Sequence, residues 1–278
     1  MSRIGFMQGR LSPQIDGKIQ AFPWPHWEAE FSIAHEARFE SMEWTLDADR
    51  LHENPLLLPD GQARIPELAA ASDVLVNSLT GDCFMQEPFW KALDDRRGQL
   101  LSDLAAVLEA CSAVGVSFVI IPLVDNGRLE NDTQRESLLD GLLPQVPALA
   151  RRGMAILFES DFSAPALADL MSRFPPDTFG INYDIGNSAS LGFDAQSELQ
   201  TYGKRVRNVH VKDRLLGGTT VPLGTGAADL PTVFRELARS GYRGDFILQT
   251  ARARDGRHLE ALVRYRERVL GWIADSRT

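Results

Sequence analysis

Four residues of this 278-residue chain have the types and positions to hold one divalent metal ion: Glu159, Asp184, His210 and Gln249. Each falls at or just past the last inward position of a short apolar run, over 154–158, 179–183, 206–211 and 246–248. Two carboxylates and an imidazole suit Mn, Mg, Co, Fe or Zn and do not choose among them. Gln249 offers a neutral amide oxygen as a fourth ligand. Two carboxylates balance a divalent charge, so with an amide in fourth place the ion stays the stronger Lewis acid toward a substrate hydroxyl or carbonyl. The alternative is that Gln249 binds substrate. Taken singly, each residue has a plainer explanation: Asp184 capping a turn, His210 hydrogen-bonded in the core, Glu159 paired with Lys212 or Arg207. Taken together on successive strand ends they point to a metal site, because like charges gathered without a cation would repel.

These side chains meet only if the strands carrying them lie side by side. Successive strand residues alternate faces. Asn182 and Asp184 thus share a face, as do His210 and Lys212, and as do Ile247 and Gln249. Further runs at 4–9, 41–44 (carrying Glu43), 73–79 and 118–121 read as strands. Helical spacing follows at about 27–37, 88–114, 132–151, 164–174, 195–202, 231–239 and 259–273. The strands are nearly continuous in apolar residues, as strands covered on both faces must be. Eight strand–helix units in this length predict an α/β fold, a (β/α)8 TIM barrel forming a single domain over 1–278. An open, doubly wound sheet is the alternative. No glycine fingerprint for a dinucleotide follows the first strand. The polar connection over 45–62, broken by Pro55, Pro59 and Gly61, is long enough to read as a lid.

Bulk properties narrow the partners. Apolar residues make up 44% and charged residues 24%, ordinary for a globular protein with a sizeable core. The formal charge of -9, with no Lys/Arg block, argues against nucleic acid. Cys83 and Cys111 form no disulfide or zinc pattern and read as reduced and buried. We expect no leader peptide, no membrane-spanning run, a cytoplasmic location, and assembly as a homo-oligomer whose interface the sequence does not mark.

Cationic groups near the strand ends suit an anionic substrate group. Lys212 shares a face with His210, Arg10 follows the first strand, and Arg214 and Arg252 flank the seventh and eighth. Arginine clamps phosphate or carboxylate bidentately. Gly224-Thr225-Gly226 is a candidate phosphate wrap through its backbone N–H groups. Trp24, Trp27 and Phe84 are candidates for an apolar wall over a sugar, or else simply pack the N-terminal loops. Asn187 is expected to hold the loop after Asp184 or touch substrate, and Glu43 to reach the substrate. Asp125 and Asp213 are candidates for orienting site residues.

The chain resembles the xylose-isomerase-like TIM barrels, the broad sugar phosphate isomerase/epimerase family. The resemblance rests on Ile-Gly-Phe-Met-Gln-Gly-Arg-Leu at 4–11, Met-Glu-Trp at 42–44, and Asp-Cys-Phe-Met at 82–85. Pro-Leu-Val-Asp at 122–125, Phe158-Glu159, Tyr-Asp-Ile-Gly-Asn at 183–187 and Val-His-Val-Lys-Asp at 209–213 extend it along nearly the whole chain. It implies Glu159, Asp184 and His210 as metal ligands, and a fourth, glutamate ligand where this chain has Gln249. In the family's epimerases the two glutamates exchange a proton across a cis-enediolate held by the metal. Glu159 fits that base role, whereas an amide has no useful pKa. The expected function is therefore a divalent-metal-dependent isomerase or epimerase of a ketose or sugar phosphate, with Glu159 and Lys212 as catalytic residues. The alternative is a metal-dependent decarboxylase or lyase on an oxidised, keto-acid sugar derivative. A replacement second base would be Glu43 or Asp82. The family's endonuclease branch needs many histidine ligands, and five histidines with a charge of -9 disfavour it.

Overall fold

Eight parallel strands pair in chain order and the last pairs with the first, closing the sheet. The computed structural model describes residues 2–276. The strands are β1 (Ile4–Met7), β2 (Ser41–Thr45), β3 (Leu75–Thr80), β4 (Phe118–Leu123), β5 (Ala155–Ser160), β6 (Phe179–Asp184), β7 (Val206–Val211) and β8 (Asp245–Leu248). The surrounding helices are α1 (Ala29–Glu36), α2 (Pro59–Ser72), α3 (Asp82–Gln86), α4 (Asp94–Val114), α5 (Asp132–Leu142), α6 (Val146–Arg152), α7 (Ala164–Ser172), α8 (Ile185–Ser190), α9 (Ala195–Tyr202), α10 (Leu230–Arg239) and α11 (His258–Asp275). The protein is a single (β/α)8 TIM barrel, as its sequence predicts. Among the described residues no helix is long and apolar enough to cross a membrane.

Two apolar regions follow from the pleat. The larger lies between strands and helices and includes Phe158, Phe179, Val209, Val211 and Leu248. The smaller fills the barrel interior with Ile120, Ala155 and Leu157, against which Phe118 packs. Gly5 admits its neighbours to this interior: a Cβ there would sit 2.4 Å from Ser41 Oγ and 2.7 Å from Ile247 Cδ1. Above these residues, toward the C-terminal ends of the strands, the inward positions turn polar.

Several helices depart from the sequence reading. α2 was not foreseen, because Pro59, Gly61 and Pro66 read as breakers. Pro59 in fact opens the helix, where its missing N–H costs nothing. The expected 45–62 lid is thus a short stretch of 3-10 turns running into α2. The helix expected over 88–114 begins only at Asp94, after the separate α3. The one expected over 132–151 breaks at a 3-10 turn containing Pro144. α8 was also missed. It starts directly after Asp184, whose Oδ1 accepts the Asn187 N–H at 2.8 Å and caps it.

Candidate metal centre at the barrel mouth

Three of the four expected ligands converge. Glu159 ends the inward row Ala155–Leu157–Glu159 of β5. On β6 and β7 a register shift beside Asn182 pairs it with Asn208 and sets Asp184 opposite His210. Irregularities of this kind re-aim side chains near functional sites. One ligand atom each from Glu159, Asp184 and His210 lies within 4.8 Å of the others. His210 Nδ1 is 3.0 Å from Glu159 Oε2 and 3.9 Å from Asp184 Oδ2. All three side chains are buried.

The histidine is oriented from below. Its Nε2 is 2.6 Å from Glu43 Oε1. Glu43 Oε1 also accepts the Thr80 hydroxyl at 2.5 Å, and Oε2 accepts Ser78 Oγ at 2.7 Å and Asn208 Nδ2 at 2.8 Å. Asn208 Nδ2 donates as well to Asn182 Oδ1, 2.9 Å away, which fixes the Asn182 amide. Asn182 Nδ2 then donates to Glu159 Oε2 at 2.8 Å and faces His210 Nδ1 at 3.0 Å. A ring that gives its Nε2 proton to Glu43 turns the Nδ1 lone pair toward the two carboxylates, as a ligand histidine must. Burial would lower the His210 pKa, but the Glu43 and Glu159 carboxylates push it up to about 10. The cluster is short of positive charge, which a divalent ion supplies. In donor types, spacing and electrostatics the residues fit such an ion.

Gln249 stands at the rim. Lys212 Nζ donates to Gln249 Oε1 at 3.1 Å and to Asp184 Oδ2 at 2.9 Å. Gln249 Nε2 donates to Gln20 Oε1 at 2.9 Å. Burial would raise the Asp184 pKa, yet the Lys212 and His210 charges hold it below the ordinary value. Asn187 Nδ2 donates to Glu159 Oε1 at 2.6 Å, and its own oxygen accepts Arg214 Nη1 at 2.9 Å. A cavity of about 480 Å³ opens above, lined by Glu159, Asn187, Lys212, Arg214 and Gln249 together with Gln20, Asp82 and Arg128.

Other expected contacts need correction. Glu43 does not reach the cavity: it is fully buried beneath His210 with both oxygens engaged. Arg10 and Arg252 do not line the cavity either. Arg10 donates to the carbonyls of Ile19 and Thr250, and Arg252 to those of Ser12 and Ile19, so both brace the loop after β1. The N–H groups of Gly224 and Gly226 are taken by Asp213 Oδ2, at 2.8 Å each, and are not free to wrap a phosphate. Trp24 and Trp27 pack on Phe22 and Trp44. Sequence reasoning missed the roles of Asn182, Asn208 and Gln20. The two asparagines lie two positions before Asp184 and His210, so the strand period would have found them.

The protein is a closed parallel (β/α)8 barrel that carries, at its C-terminal mouth, a Glu–Asp–His cluster able to hold a divalent metal ion. A family model described as Xylose isomerase-like TIM barrel matches residues 31–270, and the chain belongs to that family. L-ribulose-5-phosphate 3-epimerase UlaE of Escherichia coli O1:K1 / APEC is 25% identical over 232 residues, covering 80% of this chain and 81% of that protein. The solved structure of an L-ribulose 3-epimerase is similar at a TM-score of 0.77 and 13% identity, covering 100% of this chain and 96% of the other. The IOLI protein with a binding zinc atom matches at a TM-score of 0.75 and 16% identity over 99% of both chains. At these identities the structural likeness speaks to the fold.

Proposed function

We propose that the protein is a divalent-metal-dependent isomerase or epimerase of a ketose or ketose phosphate, with Glu159 as the base. The observation that carries this reading is the convergence of Glu159, Asp184 and His210 at the floor of a polar cavity. A bound divalent ion would supply Lewis acidity toward a sugar carbonyl and its neighbouring hydroxyl. Gln249 sits beside this cluster as a candidate fourth ligand through its amide oxygen. The Asn182 and Asn187 amides hold the two Glu159 oxygens, fixing the carboxylate that takes a proton from the carbon next to the carbonyl. Lys212 places a positive charge between Asp184 and Gln249, where a developing sugar oxyanion is stabilised. Arg214, tied to Asn187 and the Gly218 carbonyl, offers a cation to a phosphate. The relatives named L-ribulose-5-phosphate 3-epimerase favour a ketose phosphate.

The test is direct. Chelator-stripped protein, reloaded with Mn, Mg, Co or Zn, is incubated with L-ribulose 5-phosphate and with L-ribulose, and products are followed by NMR. Metal-dependent isomer formation that falls about 100-fold or more in Glu159→Gln supports the reading. Turnover indifferent to chelator contradicts it.

Gln249 favours a second reading. With an amide just past β8 paired to Lys212, this position sets a neutral hydrogen-bonding group beside a cation where a second base would stand. A metal-dependent decarboxylase or lyase on a keto-acid sugar fits such an arrangement. Carbon dioxide or aldehyde release from that substrate class distinguishes it.

A further inference from the structure

Inverting a carbon next to a carbonyl requires a proton to leave one face and another to arrive on the opposite face, so two acid–base groups must reach the same carbon. On the reading above, on which this inference rests, Glu159 is one of them. Gln249 has no acid–base range to be the other. Besides Asp184, four further carboxyls lie near the mouth, of which Asp125 is exposed at the rim on the turn after β4. Glu43 is sealed beneath His210 with both oxygens engaged. Asp161 is paired with Arg128 at 2.6 Å. Asp82 remains.

Asp82 opens α3 directly after β3, is half-buried, and lines the same cavity as Glu159, Lys212 and Gln249. Among the described residues its carboxyl makes one hydrogen bond, from Gln20 Nε2 to Oδ2 at 2.5 Å. The Gln20 amide is fixed in that sense because its Oε1 accepts Gln249 Nε2 at 2.9 Å and Arg10 Nη2 at 3.2 Å. Arg10 and Arg252 in turn brace the loop that carries Gln20. The loop after β1 therefore orients one oxygen of Asp82, while among the described residues none donates to the other.

The geometry points to Asp82 as the second acid–base residue, working from the β3 wall of the cavity while Glu159 works from the β5 wall. Glu159 takes the proton from the carbon beside the carbonyl, and the C–H electron pair passes into an enediolate. The protonated Asp82 then gives its proton to the other face of that carbon. The enediolate pair forms the new C–H bond and the carbonyl returns. Glu159 ends protonated and Asp82 ionised, no electrons are gained or lost, and exchange with water resets both.

The surroundings suit this work. Burial raises the Asp82 pKa, and the Asp47 and Glu159 charges add to it, against the Gln20 hydrogen bond and the His210 charge, to about 7. Arg10 also faces it. A carboxyl so poised serves as donor in one direction and acceptor in the other.

The experiment uses full-length, metal-loaded protein with L-ribulose 5-phosphate in D2O. Wild type is expected to invert the carbon and to incorporate deuterium there. Asp82→Asn should invert about 100-fold more slowly or worse while still exchanging deuterium from the Glu159 face. Glu159→Gln should lose both, and Asp82→Glu should restore part of the inversion. Inversion at the wild-type rate in Asp82→Asn overturns the assignment. In parallel, the carboxyl 13C signal of Asp82, assigned by its absence in Asp82→Asn, should titrate near 7 in metal-free protein and should shift in metal-loaded protein when L-ribulose 5-phosphate is added. A wild type that exchanges no deuterium sinks the isomerase reading, and the sugar-induced shift of the Asp82 signal then decides whether Asp82 faces the substrate. A signal that titrates as an ordinary aspartate and ignores the sugar overturns the role of Asp82.

Discussion

His210 Nε2 stands 2.6 Å from Glu43 Oε1, and both side chains are fully buried. The contact decides which ring nitrogen is left for a metal. Glu43→Gln should keep the shape and weaken the orientation, since an amide is a poorer acceptor for Nε2–H and would bring its NH2 group against Ser78, Thr80 or Asn208. Outer-sphere losses of this kind cost about 10- to 100-fold in metal affinity. Titration calorimetry with Zn or Mn should show a drop in that range. Unchanged affinity would mean that Glu43 serves packing alone.

Metal and proton compete for His210. With its pKa pushed up to about 10 by Glu43 and Glu159 against burial, the ring holds a proton at neutral pH until an ion replaces it. Displacing one proton makes apparent affinity climb about tenfold per pH unit below that value. Affinities measured between pH 6 and 8 should follow that slope, with release of one proton per ion.

Stripped of metal, the protein should lose stability as pH rises. Glu30 is raised to about 7 by burial, against hydrogen bonds from Gly9, Ser12 and Leu11 and the Arg252 charge. Asp82 is raised to about 7, and His210 to about 10. Each folded value exceeds its unfolded one. The contributions are therefore fully present below the unfolded pKa and vanish as pH climbs through the folded pKa. Glu30 and Asp82 act between about 4 and 7, and His210 between about 6.5 and 10. Melting temperature should fall from pH 5 to pH 9. Saturating metal should flatten the upper part of the fall, because the ion takes the proton's place on His210.

The strands and the clustering of Glu159, Asp184 and His210 were legible because both follow from short-range patterns. Apolar runs fix the strands, and the period of two carries Glu159, Asp184 and His210 to one face. The role of Glu43 was hidden because sequence gives its face but not its depth: Glu43 pairs with Met7 and Ser78, beneath the His210 ring. Arg10 and Arg252 read as anion clamps because their true partners are backbone carbonyls, for each of them one that lies 240 residues away. By sequence Asp213 is a candidate for orienting site residues, yet it collects the N–H groups of Gly224, Gly226 and Ala228. Such contacts depend on where the closed barrel brings distant loops together, and no local pattern announces them.

Anomalous scattering at the absorption edge of Mn or Zn, from crystals grown with that ion, addresses the metal centre most directly. One peak is expected at the barrel mouth, about 2.0–2.3 Å from Glu159, Asp184 and His210 Nδ1. A mouth without a peak at saturating ion, or an ion bound through other residues, would contradict the account.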